Sequence, residues 1–244
     1  ETAQLPVIPN GMGRGVVPSG HPLLVTRARS QALKKADLVV VVGTPLDFRL
    51  GYGKFGPADA PAEVVHVVDH LSQVSHHAAP AASVAGSLTQ TLDALTVAWE
   101  QHAAHRGRAQ WLADLQATAA AAVATDADVL TSTVDPIHPA RIYGELNRRL
   151  SDDTVVIGDG GDFVSFAGKF VEPKRPGHWL DPGPYGCLGT GLGYAMASAI
   201  AKPSSPTVLL MGDGAAGFSL MDVDTLVRHK LPVVMVVGNN SAWG

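Results

Sequence analysis

Two apolar runs without polar alternation, Val208 to Met211 and Leu231 to Val237, constrain this chain more than any other feature, and each leads into a polar ending. The first runs into Gly212-Asp213-Gly214 and the second into Asn239-Asn240. Short unbroken runs of this kind suit parallel strands covered on both faces. Between them Ser219 and Asp222 form a Ser-x-x-Asp helix start. Met221, Val223, Leu226 and Val227 lie towards one side, and Arg228, His229 and Lys230 crowd the last turn. The stretch therefore predicts one βαβ unit with its helix opening at Ser219, and the chain around it an α/β fold of doubly wound parallel sheets. Ligands in such sheets sit beyond the carboxyl ends of the strands. Asp213 and Asn240 stand at two of those ends.

Asp213 offers a carboxylate and Asn240 an amide oxygen, both hard ligands. Gly212, Gly214 and Gly217 let a bulky anion come close to the backbone. This is the outline of a magnesium-diphosphate site, since Mg²⁺ takes about six oxygens and usually only a few from protein. The expected protein set is Asp213, Asn240 and the carbonyl of Ala242. A helix opening at Ser219 comes too late to cap a phosphate, so the amides of Gly214 and Ala215 are the expected donors. The alternative is structural: Asp213 as a strand-end turn residue and Asn239-Asn240 as a β-turn.

The pattern Gly-Asp-Gly, 24 intervening residues, then Asn-Asn resembles the diphosphate-binding signature of thiamine-diphosphate-dependent enzymes. The resemblance covers nearly the whole chain; "GTGLGYAMA" and "VRHKLPVVMVVGNN" are as similar to oxalyl-CoA decarboxylases and 2-hydroxyacyl-CoA lyases as to acetolactate synthases. An acetolactate synthase-like large subunit leads because "GPYGCLG" resembles a segment of bacterial synthase-like proteins. The resemblance implies three segments: a central α/β domain over 1–95, a helical linker over 96–133, and a domain for thiamine diphosphate and Mg²⁺ over 134–244. Both domains are expected to be incomplete. The chain opens on Glu1 and stops at Gly244 directly after the ligand motif, which reads as an interior piece of a longer protein.

At 244 residues, 46 % apolar and 16 % charged, the composition is that of a soluble globular chain with room for two modest domains. A net charge of −4 argues against nucleic acid or an anionic membrane as partner, and no apolar run reaches the roughly 18 residues of a membrane span. One cysteine, Cys187, precludes an internal disulfide and fits a reducing cytoplasm. Its place in a glycine turn reads as a small residue rather than a nucleophile.

The first segment reads as a strand at Leu5 to Ile8, a glycine loop, a helix from Thr26 to Lys35, and strands at Asp37 to Val42 and Glu63 to Asp69. The loop Gly43 to Arg49 is either an ordinary strand exit or a ligand loop. "NGMGRGVVPSGHPL", "ARSQALKKADLVVVVG" and "VVHVVDH" are similar to the central domain of the same enzymes, which carries FAD in the synthases and an ADP-type nucleotide in acyl-CoA enzymes. The synthase-type Gly-x-Arg is Gly43-Thr44-Pro45 here, so the arginine expected on FAD is absent. His66 and His70 fall on or at the end of a strand and read as solvent-edge histidines. His76, His77, His102 and His105 read as surface. Residues 96 to 125 look helical.

In the second segment His138-Pro139 opens a helix, Thr154 to Ile157 is a strand, and Gly158 to Phe163 is a loop flexible enough to wrap a ligand. The resemblance places that loop near the diphosphate. Asp162-Phe163 replaces the family's Gln-His, so contact is expected through Gly161. The run Gly183 to Gly193 leads into an alanine-rich helix. It also admits a dinucleotide reading, with Gly189-x-Gly191-x-Gly193 entering a helix and Asp213 ending the next strand. By resemblance Leu188 is the apolar wedge that bends the cofactor; otherwise it is ordinary core.

The resemblance implies decarboxylation of a 2-keto acid with carboligation, as in the conversion of two pyruvates to acetolactate and CO2 that opens branched-chain amino acid biosynthesis. A 2-hydroxyacyl-CoA lyase, an oxalyl-CoA decarboxylase and a non-catalytic nucleotide-binding subunit are the alternatives. It further implies a cytoplasmic homodimer or homotetramer and an activating glutamate on a separate N-terminal domain. Glu63, Glu100, Glu145 and Glu172 do not match that glutamate, so the 244 residues alone are expected to be inactive.

Overall fold

The computed structural model describes residues 3–102 and 108–242. Its contacts divide the chain into two compact units, Glu1–Pro6 with Val25–Ala120, and Val7–Leu24 with Ala121–Gly244. Among the described residues every strand pair is parallel, as unbroken apolar strands demand.

The first unit runs α1 (Arg29–Lys35), β1 (Leu38–Val42), β2 (Glu63–Val68), β3 (Ala82–Ala85), α2 (Leu88–His102) and α3 (Ala109–Thr125). Its sheet has the order β1-β2-β3. A short 3₁₀ turn, Thr26–Ala28, leads into α1, so the expected helix is present with a tightened start. Val41, Leu46, Phe55 and Val64 form the buried core, with Leu33 and Val39 packed against them. Leu115 of α3 is fully buried, and Thr118 Oγ1 donates to the side-chain oxygen of Gln31 on α1 at 2.9 Å.

Two expectations fail in the first hundred residues. The strand at Leu5 to Ile8 is reduced to a single bridge, Val7 to Leu24. Pro6 and Pro9 flank it, and neither has an N–H to extend a ladder. His66 is no solvent-edge residue: it is fully buried on β2, with Nε2 3.0 Å from the Thr44 carbonyl. His70 is exposed, and its ring nitrogen caps the next turn by accepting from the Ser72 amide. His76 and His77 are exposed. The side chain of His102 and the whole of His105 lie outside the described residues.

The second unit runs α4 (Ala127–Leu130), α5 (Pro139–Asn147), β4 (Val155–Asp159), α6 (Asp162–Phe170), β5 (Trp179–Leu180), α7 (Gly191–Ala201), β6 (Thr207–Gly212), α8 (Asp213–Ser219), α9 (Val223–Arg228) and β7 (Val233–Gly238). Strand order is β5-β4-β6-β7. Side-chain alternation splits its core in two. Val155, Ile157, Leu209 and Met211 pack with Leu192, Ala195, Ala215, Ala216 and Leu226 of α7, α8 and α9. Val156, Val208 and Leu210 pack with Tyr143 and Ala167 of α5 and α6. This is a sheet covered on both faces. His138 caps α5, its Nδ1 accepting the Ala140 amide at 3.2 Å, and Pro139 takes the first helical position, as the sequence predicted.

The segment carrying "GMGRGV" belongs to this second unit. Arg14, only 7 % exposed, lies 4.1 Å over the Trp179 ring and donates to the Val171 carbonyl. Gly15, at φ +91, leaves no room for a Cβ against the Arg175 backbone.

Candidate cofactor site

The site is built where β4, β6 and β7 end side by side. Register pairs Gly212 with Gly238 and Asp159 with Met211. Asp213 and Asn240 thus follow paired glycines on adjacent strands, whose backbones run about 4.8 Å apart. Gly212 and Gly161 have open space where a Cβ would stand. A cradle of bare backbone therefore lies at the carboxyl end of this sheet.

The helix after β6 does not start at Ser219. It starts at Asp213, with Gly212 as its extended N-cap, and is interrupted at Leu220–Asp222 by a 3₁₀ turn before α9 resumes. Ser219 caps nothing, and its buried hydroxyl has no partner. Ala215 and Ala216 decide the matter, because both are buried against the sheet and can be so only if the chain coils at once. The amides of Gly214 and Ala215 consequently lie in the first helical turn, where no intrahelical acceptor claims them.

Asp213 is half-buried there, and among the described residues its carboxylate makes no hydrogen bond or ion pair. Asn240 is exposed, and its side-chain oxygen accepts the Ala242 amide at 3.0 Å. Asn239 does the same for Ser241 at 2.9 Å. The Asn240 oxygen keeps a lone pair, whereas that of Asn239 also accepts the Ser241 hydroxyl at 3.3 Å. Ala242 is exposed beside them. Among the described residues no cluster of three His, Cys, Asp or Glu is placed to hold a metal. A cation here would rest on a few hard oxygens with phosphate and water supplying the rest, which suits Mg²⁺.

The expected wrapping loop Gly158 to Phe163 is mostly regular structure. β4 continues to Asp159 and α6 begins at Asp162, leaving Gly160 and Gly161 as the turn. Gly160, at φ +108, brings that turn against Gly212 and Ala215. Phe163 turns inward: a Cβ on Gly238 would stand 2.6 Å from its ring, and its carbonyl accepts the Tyr143 hydroxyl. Burial pushes the Tyr143 phenol above its ordinary value of 10, so it stays a donor.

Sequence reading passed over Asp159. It is fully buried, and its carboxylate accepts the Gly189 amide at 3.1 Å and the Gly191 amide at 2.7 Å. This removes the dinucleotide reading. The opening amide of α7, where a pyrophosphate would bind, already holds a carboxylate, and a 3₁₀ turn, Gly183–Tyr185, separates the two-residue β5 from Gly189-x-Gly191-x-Gly193. Leu188 is half-buried and packs on the Val155–Leu209 core. Cys187 is exposed.

Among the described residues of the second unit, neither glutamate stands at this mouth. Glu145 is held by Arg141 and Arg149 at 2.6 Å each and also by Arg148; Glu172 lies 3.9 Å from Arg14; Glu63 opens β2; Glu100 is exposed on α2.

Residues 159–244 match the thiamine pyrophosphate enzyme C-terminal TPP binding domain, and residues 1–95 match the thiamine pyrophosphate enzyme central domain. The chain belongs to the thiamine pyrophosphate enzymes. Its relatives in that family include an acetolactate synthase large subunit of Mycobacterium tuberculosis and a probable acetolactate synthase of Mycobacterium bovis, each 45 % identical over the whole chain. The human 2-hydroxyacyl-CoA lyase 2 is 34 % identical over the whole chain. The chain spans 43 % of the length of the two mycobacterial relatives and 38 % of the human one. As a thiamine pyrophosphate enzyme it has the expected fold class, two parallel sheets flanked by helices. No helix among the described residues is long and apolar enough to cross a membrane.

Proposed function

We propose that this chain is the central and cofactor-binding part of a cytoplasmic, homodimeric or homotetrameric acetolactate synthase, which joins two pyruvates with loss of CO2. The observation that carries the site is the carboxylate of Asp213, unpartnered among the described residues, at the carboxyl end of β6, one strand from Asn240. The choice of synthase over acyl-CoA lyase rests on 45 % against 34 % identity.

In this reading Asp213, Asn240 and the Ala242 carbonyl hold Mg²⁺. The amides of Gly214 and Ala215 donate to the diphosphate, and Gly161 and Gly212 let it approach the backbone. Leu188 supports the ring system from below. Bound thiamine diphosphate would supply the nucleophilic carbon and the electron sink that amino-acid side chains lack. The activating glutamate comes from another domain. The segment 1–95 carries FAD or an ADP-type nucleotide, residues 96–133 link it to the rest, and the 244 residues by themselves turn nothing over.

The test feeds pyruvate to the full-length protein with thiamine diphosphate and Mg²⁺. Acetolactate should form, and Asp213→Ala should abolish it. Cofactor binding without product would move the substrate to a 2-hydroxyacyl-CoA or oxalyl-CoA; no cofactor binding would sink the site assignment.

A further inference from the structure

We infer that Asp159 is a positioning residue for the cofactor site, tethering the run that carries Leu188. The inference rests on the thiamine diphosphate reading above. Asp159 ends β4, between β5 and β6, and is wholly shielded from solvent. Its two oxygens take the amides of Gly189 and Gly191, at 3.1 and 2.7 Å. Buried backbone amides need acceptors, and a carboxylate acceptor makes the stronger bond. Thr190, which lies between those amides, does not cap α7 with its own side chain; its hydroxyl points back to the Cys187 carbonyl at 3.3 Å. The cap is thus supplied from 30 residues upstream.

The glycines on the other side of the bond fit the same purpose. A Cβ on Gly191 would stand 2.7 Å from both the Asp159 Cβ and Leu209 Cδ1. Only a bare backbone reaches the acid there. Gly189, at φ +84, turns the chain in the left-handed region and lies against Phe218. Leu188 immediately precedes this turn and rests on the core. Its height above the sheet is therefore set by two bonds from one carboxylate. Before Leu188 the run is loosely held, with Tyr185 89 % exposed.

Asp159→Asn keeps the size of the side chain but offers one acceptor oxygen for two amides, with an NH2 group facing the second. In the full-length protein at saturating Mg²⁺, the Kd for thiamine diphosphate should rise about 10- to 100-fold, the worth of one hydrogen bond to a charged group. With cofactor saturating, kcat should fall while KM for pyruvate stays, as for Leu188→Ala. Chymotrypsin should cut after Tyr185 faster in the cofactor-free variant. A folded Asp159→Asn with unchanged Kd, kcat and Tyr185 cleavage overturns the inference while leaving the cofactor site standing. A wild-type protein that does not bind thiamine diphosphate overturns both. Should Asp159→Asn fail to fold, Gly189→Ala disturbs the same tether from its other end. The same direction of change in Kd is then expected, and an unchanged Kd overturns the positioning role.

Discussion

The chain leaves β1 and β6 alike, each time with a glycine at the carboxyl end of a parallel strand and an acid close behind, yet the two acids end differently. After β1, Asp47 turns back on its own loop. It accepts the Arg49 amide at 2.9 Å and holds the Arg49 guanidinium at 2.8 Å, while the Arg49 carbonyl accepts from Arg29 at 2.5 Å. After β6, Asp213 accepts nothing among the described residues. An acid that closes its own loop has its lone pairs taken, whereas one without a partner keeps them free for a ligand. Two strand exits that look equivalent by position are thereby separated by their hydrogen bonds.

The two units also differ at particular glycines, and the largest predicted effect lies there. Gly144 on α5 packs so closely on the Leu130 carbonyl of α4 that a Cβ has no space, whereas Gly51 in the first unit has open space and only its left-handed φ of +55 to satisfy. Gly144→Ala must lift α5, and with it the Tyr143 that holds the Phe163 carbonyl. A loss of about 3 kcal/mol or more is expected, against about 1 kcal/mol for Gly51→Ala. Urea unfolding of the two variants measures this, and equal losses would erase the contrast.

A smaller effect tests the closed loop itself. The Asp47–Arg49 pair is about a fifth exposed on each side, so Arg49→Ala should cost about 0.5 kcal/mol and leave thiamine diphosphate affinity untouched. Arg49 holds the Asp47 carboxyl below its ordinary value of 3.8, chiefly through the side-chain hydrogen bond. The pair's contribution is therefore present above that value and lost as pH falls through the lower folded value. The wild type and Arg49→Ala should converge in stability as pH falls below 3.8 and through the lower folded value; a gap that widens in acid would contradict the assignment.

What could be read from the sequence divides along physical lines. Asp213 and Asn240 stand out because hard ligands at the ends of apolar runs have few other reasons to be there. β1, β2, β4, β6 and β7 announce themselves as apolar runs, while β3 and β5, at four and two residues, are too short to show a period. The opening of α8 was hidden because Gly212, Gly214 and Gly217 are poor helix formers, and burial of Ala215 and Ala216 overrides that preference. Asp159 was hidden for another reason. A lone acid in a glycine-rich stretch reads as a turn, and only the folded sheet brings it to Gly189 and Gly191. His66 misled because a parallel strand covered on both faces buries whatever side chain falls on it.

Among the described residues two histidines are buried with Nδ1 unpartnered, His66 and His178, and the smallest effect separates them. His66 has the Thr44 carbonyl at 3.0 Å from its other nitrogen. His178, 5 % exposed just before β5, has cations for neighbours. Burial, then Lys202 and Arg175, push its imidazole below the ordinary value of 6.5; Asp153 and a backbone hydrogen bond with Thr154 oppose them, and Asp153 is itself paired with Arg175 at 2.7 Å. The native state therefore keeps His178 neutral where the unfolded chain already takes up a proton. Stability from this group is complete above pH 6.5 and is lost as pH falls from there to the folded value. Urea midpoints between about pH 7.5 and 5 should fall with pH in the wild type, and less steeply in His178→Phe, which fills the same space without titrating. Parallel slopes would show that His178 is as readily protonated in the folded protein as in the unfolded one, so that its burial and cationic neighbours carry no cost.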